Sequence, residues 1–169
     1  MQAFVNTRDI EEQSDLLGDA DSARAWFTGA GLLAPEVPMP AADLELSRAV
    51  RESIRDLLSP ADGDTHHGPE VGPLRRLADT HQPRLTVGQD GVLALENPDH
   101  DDLEGGLFEL LLIIRGAQED GSWSRLKACA NTDCSWVFFD RSRNRQGSWC
   151  DMAVCGNRLK NREFRVRRR

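Results

Sequence analysis

All four cysteines of the 169-residue chain fall in one stretch, as two close pairs: Cys129 with Cys134, and Cys150 with Cys155. Four residues separate the members of each pair, and fifteen residues lie between the pairs. Each pair can present two sulfurs from one tight turn, and four thiolates complete a tetrahedral zinc site. The spacing therefore predicts one structural Zn²⁺, with two disulfides or four unrelated thiols as the alternatives.

The rest of the sequence favours reduced thiols. The chain opens without an apolar signal segment, so we expect a cytoplasmic protein, and disulfides are rare in that compartment. The longest apolar run, residues 110–114, is far shorter than the about 20 residues of a membrane-spanning helix. We therefore expect no membrane association.

The motifs argue against an enzyme. A catalytic zinc keeps one coordination position open for water, and four cysteine ligands would leave none. The four histidines are scattered over expected loops, and the sequence has no phosphate-binding glycine loop and no nucleophile elbow. We therefore expect no catalytic residues.

Charge is divided unevenly along the chain, which has a net charge of −7. Residues 124–169 hold 12 basic and 4 acidic side chains, a net +8, whereas residues 1–123 hold 9 basic and 24 acidic ones, a net −15. Such a division predicts a polyanion partner for the basic part, or mutual neutralisation of the two parts within the molecule.

The residues around the cysteines resemble a known family. Residues 129–140 read Cys-Ala-Asn-Thr-Asp-Cys-Ser-Trp-Val-Phe-Phe-Asp, and residues 149–158 read Trp-Cys-Asp-Met-Ala-Val-Cys-Gly-Asn-Arg. This pattern resembles the CGNR zinc finger, which takes its name from the tetrapeptide at 155–158. The resemblance covers roughly residues 125–169, and residues 4–7 and 26–33 resemble the opening of the ABATE domain that usually precedes this finger.

The resemblance implies a stress-linked bacterial transcription regulator in two parts. An acidic helical ABATE-like domain is expected over residues 1–120, for sensing or for homodimerisation, and a basic CGNR-type finger over 123–169. DNA is the implied partner. The effector and the DNA sequence are not specified by the resemblance.

The basic residues of the finger are the candidates for contact with DNA. Arg158, Arg162 and Arg165 have helical spacing, and three further arginines alternate in the loop before the second cysteine pair. The predicted contacts are Arg141, Arg143, Arg145, Asn157, Arg158, Lys160, Arg162 and Arg165. Asn157 and Arg158 could instead brace the finger. Residues 146–148, Gln-Gly-Ser, stand where the family resemblance implies further basic residues.

Hydrophobic periodicity predicts a mainly α fold, with a helical domain that contains one β-hairpin. Cys150 and Cys155 stand at the expected start of the last helix, which predicts a treble-clef-like finger of short strands and one helix. Helices are expected over 9–17, from a cap at 19–22 to Gly29 or Gly31, over 41–59, 71–80 and 103–118. The hairpin is expected over 85–95, an extended piece over 4–7, and finger strands over 123–127 and 136–140. Arg48, Arg51 and Arg55 fall between the apolar positions of helix 41–59.

Two other functions fit the same pattern. The finger could be a protein-interaction module that docks an acidic partner or its own acidic first domain. It could also bind RNA, with Trp123, Trp136 and Trp149 stacking on bases.

Overall fold

A computed structural model describes residues 1–59, 69–99 and 102–158. The elements of the first 122 residues, here the helical region, are α1 (Gln2–Val5), β1 (Arg8–Asp9), β2 (Ser14–Asp15), α2 (Ala20–Gly29), α3 (Ala41–Leu58), α4 (Gly72–Thr80), β3 (Arg84–Val87), β4 (Leu93–Glu96) and α5 (Leu103–Glu119). The finger follows a 3-10 turn (Ser122–Arg125), with β5 (Leu126–Ala128), β6 (Val137–Phe139) and a short helical segment (Met152–Gly156).

The predicted fold class is confirmed, and α2, α3, α4 and α5 begin and end within two residues of their expected bounds. Two of these helices begin at an aspartate that accepts a hydrogen bond from an otherwise unpaired amide. Asp19 accepts from Ser22 N at 2.9 Å, and Asp102 accepts from Gly105 N at 2.8 Å. No helix in the described ranges is both long enough and apolar enough to cross a bilayer.

The helix expected over residues 9–17 is wrong. Strands β1 and β2 pair there instead, with Arg8 opposite Asp15, which adds a two-residue ladder to the one expected hairpin. The Asp9 carboxylate accepts from Glu12 N at 3.0 Å, and Gln13 has a φ of 53°. The bond from Glu12 N could cap a helix, but the left-handed Gln13 cannot continue a right-handed one. The chain instead turns back, and Leu16 N donates to Thr7 O at 2.8 Å.

The extended piece expected over residues 4–7 is also wrong, and the first finger strand is shorter at its start than expected. Phe4 and Val5 lie in the helical turn α1, and Asn6 and Thr7 form the turn that follows it. Phe4 and Val5 are fully buried there, and the Phe4 ring packs 5.6 Å from that of Trp26. The first finger strand begins at Leu126, since residues 122–125 form the 3-10 turn. In both places packing against distant residues overrides local preference.

One hydrophobic core extends from the helices into the finger. Phe27, Ile54 of α3 and Leu107 of α5 are fully buried in it, and Ala128 of β5 and Val137 of β6 belong to the same cluster. The finger strands therefore pack against the helical region as part of its core.

Helix α5 carries two glycines in opposite surroundings. A Cβ at Gly106 would overlap the backbone carbonyl oxygen of Leu32, whereas a Cβ at Gly116 would meet nothing within 4 Å. Position 106 needs glycine because α5 lies directly on the chain that follows α2.

Alanine at these two positions should therefore have opposite effects. Gly106→Ala should lower the free energy of unfolding by about 2–3 kcal/mol, because relieving the overlap displaces α5 from the core. Gly116→Ala should raise it by about 0.5–1 kcal/mol, because alanine loses less backbone entropy in a helix. Urea unfolding of both variants measures the difference, and equal stabilities would contradict the close approach of α5 to Leu32.

Candidate metal centre

The first cysteine pair lies on the turn between two paired strands. Strands β5 and β6 are antiparallel, with Ala128 opposite Val137. The turn is closed by hydrogen bonds from Cys129 N to Trp136 O and from Cys134 N to Asn131 O, both at 2.9 Å. This geometry directs both thiols to one side of the hairpin end.

The second cysteine pair spans the start of a helical segment. Asp151 lies between the two cysteines and accepts from Val154 N at 2.9 Å, so its carboxylate caps the segment Met152–Gly156. Cys155 N bonds back to Asp151 O at 3.0 Å. The sequence predicts a helix start at this pair, and a helical segment begins there at Met152. The rest of the expected helix lies outside the described residues.

The four thiols converge on one point. Their Sγ atoms all lie within 4.8 Å of one another, and Cys150 Sγ is 3.6 Å from both Cys134 Sγ and Cys155 Sγ. A tetrahedron of sulfurs with Zn–S bonds of about 2.3 Å has edges of about 3.8 Å. The thiols thus fit a zinc ion, and all four cysteines are free of disulfides.

The surroundings of the thiols suit a divalent metal. Three of the four cysteines are buried, and burial raises the pKa of the Cys134 thiol to about 11. Burial and the neighbouring thiols also raise the pKa of Cys150. Burial would raise the pKa of Cys129, but hydrogen bonds from the backbone of Cys150 and Asn131 outweigh it and lower that pKa. Cys134 and Cys150 are poor anions by themselves, and a bound Zn²⁺ would reverse that preference by stabilising the thiolates.

Two tryptophans close the metal centre. Trp136 and Trp149 are partly buried and pack against the cysteine cluster. Asn131 Nδ2 lies 3.9 Å from Cys155 Sγ, as a weak donor to that sulfur. Trp123 packs against the main hydrophobic core. All three tryptophans therefore have packing roles in the described structure.

Residues 141–147, here the arginine loop, are organised around one buried carboxylate. Asp140, 3 % exposed, accepts from Lys127 Nζ, from Ser142 N and from Gly147 N at 2.8–2.9 Å. The hydrogen bond from Lys127, reinforced by that from Ser142, holds the pKa of Asp140 far below its usual range. Arg141, Arg143 and Arg145 are exposed around this fixed frame.

Residues 146–148, Gln-Gly-Ser, stand where the family resemblance implies basic residues, and the central Gly147 has a structural role. A Cβ at Gly147 would lie 2.8 Å from Asp140 Oδ1, so glycine allows the loop backbone to reach the carboxylate. Gly147 O also accepts from Lys127 Nζ at 3.2 Å. A larger residue at 147 would displace the loop from its anchor.

Removal of the Asp140 carboxylate should release the arginine loop. In Asp140→Ala the loop loses two hydrogen bonds and Lys127 loses its carboxylate partner. We expect trypsin to cleave at the loop arginines at least about tenfold faster, because local opening becomes easier. Zinc content should be unchanged. Mass spectrometry of timed digests measures cleavage.

The matched control is Ser142→Ala, in the same loop. The Ser142 hydroxyl is buried without a hydrogen-bond partner among the described residues, so its loss should leave cleavage rates at the wild-type level. Equal protection of Asp140→Ala and wild type would contradict the anchoring role.

Of the remaining candidate residues, the structure describes two and leaves three undescribed. Asn157 Nδ2 donates to Ala153 O at 3.0 Å, within the helical segment. Arg158 Nη1 lies 2.7 Å from Glu11 Oε1 of the helical region, and this hydrogen bond raises the pKa of the exposed guanidinium. Lys160, Arg162 and Arg165 lie outside the described residues.

Several residues that support the finger were not identified as site residues from the sequence. Asn6 and Arg55 of the helical region bond to the backbone of the finger, and Lys127 and Asp140 build the arginine loop. The contacts of Asn6 with Val137, of Arg55 with Ser135 and of Lys127 with Asp140 join residues that are 131, 80 and 13 positions apart. No local spacing could indicate such contacts.

Two family models match the chain. Residues 1–122 match ABATE, described as "Putative stress-induced transcription regulator", and residues 125–168 match the CGNR zinc finger. No curated protein matches the chain. The matches confirm the resemblance seen in the cysteine region and in the opening residues. Together with the four convergent thiols, they assign one structural Zn²⁺ to this centre.

Proposed function

The chain belongs to the ABATE family, and from this premise we propose that it is a zinc-dependent, DNA-binding transcription regulator. Its finger contacts DNA, and its helical region serves for sensing or dimerisation. The zinc has a structural role, because four thiolates would leave no coordination position for substrate or water. The proposal therefore includes no catalytic step.

The observation that carries the proposal is the arginine loop. Arg141 and Arg143 are exposed on a loop whose backbone is held by the buried Asp140. Arginine guanidinium groups pair well with phosphate oxygens, and a rigid frame lowers the entropy lost when such contacts form. The loop therefore suits contact with a nucleic-acid backbone, which positions a protein without reading sequence.

The charge distribution also supports contact of DNA with the finger rather than with the helical region. Residues 1–123 carry a net charge of −15, so this part of the chain would be repelled by a polyanion, while residues 124–169 carry +8. We therefore place DNA against the finger. In this proposal Arg158, Lys160, Arg162 and Arg165 extend the contact beyond the arginine loop.

A salt titration of duplex binding tests the proposal. Zinc-loaded full-length protein is titrated by fluorescence anisotropy against pooled duplexes at about 50 and about 200 mM salt. Several phosphate contacts should give a steep loss of affinity with salt. Replacing Arg141 and Arg143 by alanine should make the log–log slope shallower by about 2, since each contact contributes about 0.9.

The matched control removes the same charge from the helical region. Arg75 and Arg76 are exposed on α4, and their replacement by alanine should leave the salt slope unchanged. Absence of duplex binding by the zinc-loaded wild type at low salt would overturn the proposal. Competition with structured and single-stranded RNA in the same assay decides between DNA and RNA as the partner.

One observation favours a second candidate function, a protein-interaction module. Arg158 of the CGNR tetrapeptide pairs with Glu11, so an acidic side chain already occupies one predicted DNA contact. Arg158 is 56 % exposed and Glu11 41 %, and solvent-exposed ion pairs of this kind contribute little to stability. A phosphate could therefore replace Glu11 at little cost. Glu11→Gln should raise DNA affinity if Arg158 contacts DNA, and leave it unchanged otherwise.

For dimerisation we propose the hairpin of β3 and β4. Leu85, Val87 and Leu93 share one face and are 63–68 % exposed, and Val87 lies opposite Leu93. Exposed apolar faces of this kind are typical of association surfaces. Sedimentation velocity on the wild type and on Val87→Lys measures whether the chain self-associates through this face.

A further inference from the structure

The segment that leaves the first cysteine pair is held by side chains of the helical region. Arg55 Nη1 donates to Ser135 O at 2.6 Å. Asn6 Nδ2 donates to Val137 O, and Asn6 Oδ1 accepts from Val137 N, both at 2.8 Å. Three hydrogen bonds thus connect the helical region to residues 135–137, directly after Cys134.

Arg55 is itself held in place. Its side chain is 7 % exposed, its Nη2 donates to Val5 O at 2.7 Å, and its Nε donates to Glu52 Oε2 at 2.9 Å. A guanidinium presents its donors in a rigid planar fork. The guanidinium that bonds Ser135 O is therefore fixed in position. If the turn at Ser135 changed conformation, Arg55 could not move with it and this hydrogen bond would be lost.

Ser135 is the residue of the turn that most needs such support. Its φ of 50° is left-handed, although it has a side chain. That conformation is unfavourable for a residue other than glycine, and it persists where the surroundings hold it. Arg55 bonds the carbonyl of this residue, and Asn6 bonds both backbone groups of Val137.

We propose that Arg55 and Asn6 are positioning residues for the zinc. By holding residues 135–137 they preorganise the first cysteine pair, so that zinc loading and folding of the helical region form one linked equilibrium. The coupling is reciprocal: if the folded helical region increases zinc affinity, bound zinc must increase the stability of the helical region by the same free energy. The helical region thereby senses whether zinc is bound.

The test measures the zinc affinity of the full chain by competition with a chromophoric chelator. Arg55→Gln and Asn6→Ala should each weaken zinc binding by about 10–100-fold, the usual effect of losing support around metal ligands. The matched control is Arg48→Gln. Arg48 lies on the same helix and also bonds two backbone carbonyls, Leu17 O at 2.7 Å and Gly18 O at 2.6 Å, both in the helical region. Its loss should change zinc affinity by less than about threefold.

A rescue experiment separates positioning from general destabilisation. Glycine adopts a left-handed conformation without steric cost, so Ser135→Gly removes the strain at this position. Adding Ser135→Gly to Arg55→Gln should therefore raise the zinc affinity of that variant about tenfold. Hydrogen exchange gives the reciprocal readout: chelation of zinc from the wild type should accelerate exchange of the α1 amides at least about tenfold.

Equal zinc affinities of wild type, Arg55→Gln and Asn6→Ala would overturn the proposal, as would equal losses in Arg55→Gln and Arg48→Gln. If Arg55→Gln does not fold, Asn6→Ala and α1 exchange in the wild type decide. These measurements contain no DNA. A failure of the proposed DNA binding therefore leaves them unaffected, and unchanged zinc affinity leaves the DNA titration unaffected.

Discussion

Replacement of Cys155 by serine should remove the zinc and lower the melting temperature of the whole chain. Cys155 is 1 % exposed, and its Sγ lies 3.6 Å from that of Cys150. Structural zinc contributes about 10–16 kcal/mol of binding free energy in finger peptides. Since Ala128 and Val137 share the core of the helices, a finger that unfolds exposes part of that core. At about 2–4 °C per kcal/mol, we expect a decrease of more than about 10 °C.

Two measurements check this expectation: zinc per chain by elemental analysis, and the melting curve by circular dichroism. Ser148→Ala is the matched control, because Ser148 lies in the finger and its hydroxyl makes only an exposed 3.4 Å contact with Gln146 O among the described bonds. This control should keep one zinc and its melting temperature. A Cys155→Ser protein that melts like the wild type would show that the helical region does not depend on the metal centre.

The sequence was most informative where periodicity is strong over a long segment. In α3 and α5 the apolar residues recur at helical spacing, and the observed bounds follow the expected ones closely. It was least informative over residues 4–17, where short elements are determined by burial of Phe4 and Val5 and by the left-handed turn at Gln13. Such segments contain too few residues for periodicity to distinguish a turn from a strand or helix.

The metal centre was predictable because its ligands are chemically distinctive and closely spaced. Its support was not. The periodicity of α3 placed Arg51 and Arg55 between the apolar positions, whereas both are buried, 2 % and 6 % exposed. Arginine is rarely buried unless paired. Both arginines pair with Glu52 on the same helix, but their other partners, Asp15 for Arg51 and Ser135 for Arg55, are 36 and 80 residues away. Only the tertiary structure brings these groups together.

Arg51 joins the N-terminal segment to α3. Its Nη1 and Nη2 donate to the two carboxylate oxygens of Asp15 at 2.5 and 2.9 Å, and Nη1 also donates to Thr7 Oγ1 at 3.1 Å. Burial would raise the pKa of Asp15, but the hydrogen bonds from Arg51 and from Leu17 N outweigh it and lower the pKa. The lowered pKa shows that the folded chain favours the charged carboxylate.

Arg51→Met should therefore lower the free energy of unfolding at neutral pH by about 1.5–3 kcal/mol, because it removes two hydrogen bonds to the partly exposed Asp15 carboxylate and leaves Thr7 Oγ1 without a donor. A lowered carboxyl pKa stabilises the fold above the ordinary value of about 3.9, and this contribution is lost as the pH falls through the folded value. The variant should consequently show a smaller acid-induced loss of stability than the wild type below about pH 4. Urea unfolding between neutral pH and pH 3 measures both effects, in the presence and absence of zinc.

The control is Arg115→Met, which breaks the exposed pair with Glu119 and should cost at most about 0.5 kcal/mol. If Arg51→Met and Arg115→Met were equally stable, the buried pair would have no special part in holding the N-terminal segment on α3.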